Sequence, residues 1–306
     1  MTDPIVSVNM PCYRQLPLAR LAVASVLAQE FGDFELNLID DGASDEYRQY
    51  VESLGDARVR YERSPARRGA MSNMFHAMTA GRGRYTVAFH EDDLMAPGYL
   101  RAAADWMDAH PRCAFAAARL QPLIADAGMP RASSAVRWAS FESPADFLRS
   151  VFRGIEPMFG SVVYRRVALD GVQPKHDRYA TLVDRPFLMA LLERWTGALA
   201  EDPPMAWYRE HGAGDSRNRA MTGEHILNLL ETYRAAFPAR MTDDDRALFL
   251  TYSGYWLPAL LAMLTDDTQP PRHRVLFRAW RMGLYDPRRS RRFGRKRLLA
   301  SMLSRA

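Results

Sequence analysis

Within four positions the chain carries His90, Glu91, Asp92 and Asp93, an imidazole followed by three carboxylates. Carboxylates this close repel one another unless a proton or cation intervenes, and their hard oxygen donors suit a divalent metal. A solvated acidic turn, with Asp93 capping the next helix, is the alternative use of the same residues. Three related features lie elsewhere: Asp40-Asp41, Asp184, and His211 with Asp215. Acids gathered at strand ends would suit a nucleotide bound through a metal, one acid reading the base or ribose and another holding the cation on the diphosphate.

The elements that must position these groups can be read from hydropathy spacing. Ile5 to Met10 has strand composition and ends at Pro11-Cys12-Tyr13. Leu18, Leu21, Ala22, Ser25 and Val26 recur at helical spacing. Phe34 to Ile39 is a second strand running into Asp40-Asp41-Gly42, and a helix is predicted from about Glu46 to Leu54. Arg58 to Tyr61 is a third strand, and Arg67-Arg68-Gly69 opens a helix reaching about Ala80. Tyr85 to Phe89 is the strand that delivers His90 to Asp93, followed by Pro97 and a helix from Tyr99 to Ala109. Cys113 to Ala118 is a further strand. Strand and helix alternating at this spacing predict an α/β domain with a mainly parallel sheet, whose ligands bind beyond the carboxyl ends of its strands.

After about Pro122 the rhythm loosens. Residues 122–145 read as irregular, Phe159 to Tyr164 as a strand, Asp184 to Trp195 as a helix and Met205 to Arg209 as a strand entering the His211 loop. From Thr222 the sequence is helical. Ala247 to Leu264 lacks charge, at the lower limit of a membrane span, yet contains Thr251, Ser253, Gly254 and Pro258, so a buried or interfacial helix broken at Pro258 is expected. The chain is thus expected in three parts: residues 1–120, a nucleotide-binding half; 121–220, an acceptor-binding half of the same domain; and 221–306, a helical region with a basic tail.

The net charge of +5 is unevenly spread. Pro271 to Ala306 holds twelve Lys/Arg and one acid, Asp286, a net of +11, so residues 1–270 carry −6. Such a tail attracts phosphate, and its Leu276, Trp280 and Leu284, at i, i+4 and i+8, suggest a basic amphipathic helix that either lies on an anionic membrane surface or packs its apolar side inward with the arginines solvated. Arg without interleaved aromatics beyond Phe293 argues against nucleic acid as a partner. Two cysteines, Cys12 and Cys113, in no metal-binding spacing, fit a reducing compartment. MTDPIVSVNMPCY lacks the basic start and apolar run of a signal peptide, and a cytoplasmic location is expected, peripheral on the inner face of the membrane.

Taken together, Val6-Ser7-Val8-Asn9-Met10-Pro11-Cys12-Tyr13, Ser25-Val26-Leu27-Ala28-Gln29, Asp40-Asp41-Gly42-Ala43-Ser44-Asp45, Gly83-Arg84-Tyr85, His90-Glu91-Asp92-Asp93 and Pro97 resemble the family 2 glycosyltransferases of GT-A fold. The likeness covers residues 4–110 closely and extends weakly to Tyr208-Arg209-Glu210-His211, similar to the family's late Arg-x-His segment. It implies transfer of a sugar, with inversion, from a UDP- or dTDP-type donor to a saccharide or lipid-linked acceptor, with Mn²⁺ or Mg²⁺, in bacterial surface polysaccharide or glycolipid synthesis.

By the same resemblance, Pro11, Cys12 and Tyr13 line the nucleotide pocket, Asp41 reads the base and Arg68 lies near a basic nucleotide contact. Asp92 matches the last Asp of the Asp-x-Asp metal motif, with His90 where its first Asp would stand and Glu91 part of the same diphosphate–metal anchor. His211 is a second candidate ligand, and Asp184 matches the general base. Glu156 and Met158-Phe159-Gly160 are expected to shape the acceptor side. A nucleotidyltransferase is the competing enzyme, disfavoured because Tyr13-Arg14-Gln15-Leu16 has no glycine to cradle phosphate. A non-catalytic nucleotide- or glycan-binding module is the competing non-enzyme.

Overall fold

The computed structural model describes residues 3–42, 44–123, 136–209, 222–263 and 272–284. The chain divides into two compact units. The first comprises Met1–Pro144, Ile155–Gln173 and Leu188–Arg217, and the second Ala145–Gly154, Pro174–Phe187 and Asn218–Ala306.

The first unit keeps the predicted alternation: β1 (Val6–Cys12), α1 (Leu16–Leu27), β2 (Phe34–Asp40), α2 (Glu46–Leu54), β3 (Val59–Arg63), α3 (Ala70–Thr79), β4 (Tyr85–Ala88), β5 (Leu94–Met95), α4 (Tyr99–Ala109), β6 (Cys113–Ala118) and β7 (Arg137–Phe141). The order of elements continues with α5 (Pro144–Phe152), β8 (Val163–Arg165), α6 (His176–Tyr179), α7 (Asp184–Leu191), β9 (Thr196–Asp202) and β10 (Ala206–Trp207). Eight strands form one sheet in the order β3-β2-β1-β4-β8-β6-β9-β7. β3, β2, β1 and β4 run parallel, as do β6 and β9. β8 is antiparallel to β4 and β6, and β7 to β9. β1, β2, β4 and β6 are buried along almost their whole length; β6 is a continuous apolar run, as a strand covered on both faces should be, whereas β1 and β2 alternate apolar residues with buried polar ones.

Polar residues inside this sheet are satisfied by one another. Asn9 Nδ2 donates to Ala80 O and Thr86 Oγ1, and its Oδ1 accepts from Asn37. Ser7 donates to Glu35 at 2.8 Å and accepts from the Gly83 N–H at 2.7 Å, while Arg166 donates to the carbonyls of Thr79, Ala80 and Gly83. The Gly81-Arg82-Gly83 turn is thereby held flush against the start of β1. A Cβ on Gly83 would lie 2.5 Å from the Ser7 backbone nitrogen, and backbone cannot yield as a flexible side chain can.

The less regular half departs from its sequence reading in detail. Phe159–Ser161 is a 3₁₀ turn rather than a strand, because Ser161 Oγ bonds back to Met158 O before β8 begins. The helix from Asp184 stops at Leu191, since Thr196 enters β9. Residues 137–141, read as irregular, form β7 on the sheet edge.

The second unit adds α8 (Gly223–Ala235), α9 (Asp243–Met263) and α10 (Arg272–Arg281). α9 is not broken at Pro258. Buried Phe249, Ser253 and Leu260 hold it on both sides of the proline, which offsets the hydrogen bond that proline removes. Among the described residues no helix is long and apolar enough to cross a membrane. Phe152 packs with Tyr233, Phe237, Phe249 and Tyr252 at centroid distances of 4.7–6.1 Å. Beside this cluster Arg149 clasps the buried Asp245, Nε to Oδ1 at 2.7 Å and Nη2 to Oδ2 at 2.9 Å. The Arg149 bonds hold the Asp245 carboxyl below its ordinary value of 3.8.

Gly83→Ala should lower stability by about 1–3 kcal/mol through overpacking, whereas Gly32→Ala, whose Cβ meets nothing within 4 Å, should stay near neutral in the same denaturant titration. Because Asp245 binds its proton more weakly folded than unfolded, its stabilisation is complete above its ordinary value and fades as pH falls through the lowered one. Acid titration of unfolding should show Asp245→Asn less stable than the parent near neutrality, with the gap narrowing below pH 3.8.

Candidate functional site

The parallel arrangement brings the carboxyl ends of β1, β2 and β4 to one edge. Cys12 pairs with Asp40 across β1 and β2, the Asp41 N–H donates to Cys12 O at 3.0 Å, and the Phe89 N–H donates to Asn9 O at 2.9 Å. Pro11 to Tyr13, Asp40-Asp41 and His90 to Asp93 therefore share that edge.

Each acid there has a distinct environment. Asp40, fully buried, accepts from the Gly42 N–H and the Tyr61 hydroxyl. Asp41 is also buried and accepts the N–H groups of Arg68 and Gly69 at 2.6 and 2.8 Å, fixing the loop ahead of α3. The Arg68 guanidinium donates to Ser64 Oγ at 2.5 Å and lies 3.4 Å from Asn73 Oδ1. Glu91 is buried with both oxygens engaged, one by the Tyr13 N–H at 2.7 Å and the other by a short bond from the Tyr47 hydroxyl. Tyr47 in turn accepts the Gln15 N–H, so Glu91 braces the turn between β1 and α1 against α2. Burial pushes its carboxyl up to about 7, and the neighbouring Asp92 charge adds to the effect.

Cys12 contributes its backbone to the edge. Its thiol is buried against Met10 O, and burial, aided by Glu91 and Asp40, pushes it up and leaves it a poor nucleophile. Tyr13 is partly exposed, and the Arg67 guanidinium lies 4.5 Å from its ring centroid.

His90, Asp92 and Asp93 form one cluster, with a potential ligand atom from each inside a mutual distance of 4.8 Å. Asp93 is fully buried; its Oδ1 accepts the Arg209 N–H at 3.2 Å. Its Oδ2 sits 3.2 Å from His90 Nδ1 yet has no aligned hydrogen-bond donor among the described residues. Burial raises the Asp93 carboxyl, opposed by His90. An imidazole, a half-exposed carboxylate and a buried carboxylate with an unsatisfied oxygen are a donor set that fits a divalent cation.

Two later segments hold the cluster in place. β10 pairs antiparallel with β5, directly after Asp93, and leads into Tyr208-Arg209. Gly160 packs on the His90 ring so closely that a Cβ would meet Cγ at 2.8 Å and Nδ1 at 2.9 Å. The run Met158-Phe159-Gly160, expected on the acceptor side, thus also sets the position of His90. One further group escaped the sequence reading: Arg209 Nη1 is buried without a partner among the described residues. The Arg-x-His likeness marked the segment, but nothing in the sequence marked that nitrogen.

Of the sequence-predicted residues, Pro11, Cys12, Tyr13, Asp41, Arg68, His90, Glu91 and Asp92 all come together in the first unit. Asp184 opens α7 and belongs to the second unit. His211 and Asp215 fall outside the described residues.

A glycosyl transferase of Escherichia coli K12 assigned to colanic acid biosynthesis, WcaA, is 30% identical over 100 residues, 32% of this chain and 36% of its own. The Escherichia coli UDP-Glc:α-D-GlcNAc-diphosphoundecaprenol β-1,3-glucosyltransferase WfgD is 30% identical over 94 residues, 31% of this chain and 37% of its own. The matched segment thus spans little more than a third of either relative. Among solved structures, S. aureus TarS 1–349 with UDP-GlcNAc superposes with a TM-score of 0.57 at 15% identity, covering 88% of this chain and 82% of its own. The Pyrobaculum calidifontis mannosyltransferase PcManGT, with GDP-Man and Mn²⁺, gives 0.54 at 18%, covering 99% and 87%. These two show a shared GT-A fold. The model of Glycosyl transferase family 2 matches residues 7–170, more than half of the chain, and the protein belongs to that family.

Proposed function

We propose that this glycosyltransferase moves a sugar from a UDP- or dTDP-type donor, with inversion, to a hydroxyl of a saccharide or lipid-linked acceptor in bacterial surface polysaccharide or glycolipid synthesis. The observation that carries this reading is the His90, Asp92 and Asp93 cluster beside Asp41 and Tyr13 on the carboxyl edge of the sheet. TarS, solved with UDP-GlcNAc, supports this class of donor, and WfgD, named for UDP-Glc and a diphosphoundecaprenol acceptor, supports the donor and acceptor classes together.

In this reading residues 1–120 bind the nucleotide-sugar and 121–220 the acceptor, and 221–306 is a helical region. Pro11, Cys12 and Tyr13 line the nucleotide pocket, Asp41 reads the base, and Arg68 stands near the nucleotide. Asp92 and His90, with Asp93 beside them and His211 as a further candidate ligand, would hold Mn²⁺ or Mg²⁺, and Glu91 braces the turn next to that anchor. A bound cation would supply positive charge for the diphosphate as it leaves, more strongly in the transition state than in the ground state.

The protein's own part is to fix that charge and to take a proton. Asp184, on the first turn of α7, removes the acceptor hydroxyl proton as the new glycosidic bond forms and the sugar–phosphate bond breaks. A lipid-linked acceptor and the basic composition of the chain after Pro271 would suit a location at the inner face of the cytoplasmic membrane.

A transfer screen over nucleotide-sugars with Mn²⁺ and Mg²⁺, with the product anomer read by NMR, tests the reading: one donor should be turned over with inversion, and no transfer from any donor would reject it. Asp92→Ala and Asp184→Asn should each lower turnover by ~10²–10³ while circular dichroism and the thermal midpoint stay unchanged. Full transfer activity in Asp184→Asn would remove it from the role of base.

A further inference from the structure

We propose that the outward face of α10 is a docking surface for an anionic lipid bilayer, with Phe277 and Trp280 as interfacial anchors between Arg274 and Arg281. The inference deepens the peripheral-membrane part of the reading above and rests on it. Inward packing of the apolar stripe would bury Leu276, Trp280 and Leu284, but the helix is rotated from that setting and leaves Trp280 exposed. Val275 and Met282 are buried instead. Between them Arg278 clasps Glu231 of α8, Nε to Oε1 at 2.7 Å and Nη2 to Oε2 at 2.8 Å, and Nη2 also reaches Asn228 at 2.7 Å. That clasp turns Arg278 to the packed side and fixes which face looks out.

The face left outward holds His273, Arg274, Phe277, Trp280 and Arg281, all exposed. Phe277 and Trp280 keep 55% and 52% of their surface accessible, with ring centroids 5.9 Å apart. Adjacent half-exposed aromatics on a helix flanked by cations form the amphipathic pattern that seats at a headgroup–acyl boundary. Charge selects the occupant. Beyond α10 in sequence, residues 285–306 hold eight Lys/Arg against Asp286 alone, a composition strongly attracted to anionic headgroups. The outward stripe of α9, with Leu250 and Tyr255, is also apolar, but its first turn exposes Asp243 and Asp244, the wrong sign for that surface.

The test uses the full chain and vesicles of phosphatidylglycerol with phosphatidylethanolamine, against phosphatidylcholine alone. The parent should sediment with the anionic vesicles and much less with the neutral ones. Phe277→Ser/Trp280→Ser should weaken that binding at least about tenfold, with thermal midpoint and donor hydrolysis in solution unchanged. Lipids brominated near the headgroup should quench part of the parent's tryptophan emission, and Trp280→Phe should lose that part. Binding of the double variant equal to the parent would assign attachment to the tail alone and overturn the proposal. So would absence of binding to anionic vesicles, or a double variant that instead loses self-association or RNA binding. Vesicle binding is read without substrate, so its failure with transfer intact removes only this surface, and failed transfer with vesicle binding intact removes only the enzymatic reading.

Discussion

Carboxylates can crowd one edge of a sheet only if nearly every oxygen finds a donor, and the first unit is built around meeting that demand. Asp40, Asp41 and Glu91 are buried there, and each has both oxygens engaged by backbone N–H groups or tyrosine hydroxyls. Those bonds are also the joints of the fold. They fasten the loop before α3 to the end of β2, and the turn after β1 to α2. Asp93 is the exception among these buried acids, with one oxygen lacking an aligned donor among the described residues. The same accounting that explains the rigid edge therefore isolates the cluster available for a cation.

Most of this edge was legible in the sequence because it is local. Period-two and apolar runs marked β1, β2 and β4, turn chemistry marked the loops after them, and parallel βαβ connectivity put their carboxyl ends together. Later elements were less legible because their geometry is set by distant partners. Phe159–Ser161 has strand composition but turns to place Ser161 Oγ against Met158 and Ala118. α9 passes through Pro258 because tertiary packing outweighs one lost hydrogen bond. The rotation of α10 was decided by Glu231, a residue 47 positions earlier, and apolar spacing is blind to an arginine that packs inward through a carboxylate.

The individual roles at the edge show a similar division. His90 stands out in sequence only by replacing an expected acid. In the structure it is held by Gly160 on its ring and Asp93 beside Nδ1, two contacts from different parts of the chain. Glu91 reads in sequence as one more ligand, whereas its hydrogen bonds make it a brace. Residue type proposed the chemistry; the distribution of donors showed which acids hold the scaffold.

The central claim is that the His90, Asp92 and Asp93 cluster couples a divalent cation to a nucleoside diphosphate. Calorimetric titration of UDP into the protein, with Mn²⁺ and again with EDTA, addresses it most directly. The account expects Mn²⁺ to tighten UDP binding by at least about tenfold, a coupling of roughly 1.4 kcal/mol, and expects that coupling to vanish in Asp92→Ala. Equal UDP affinity with and without the metal would contradict it.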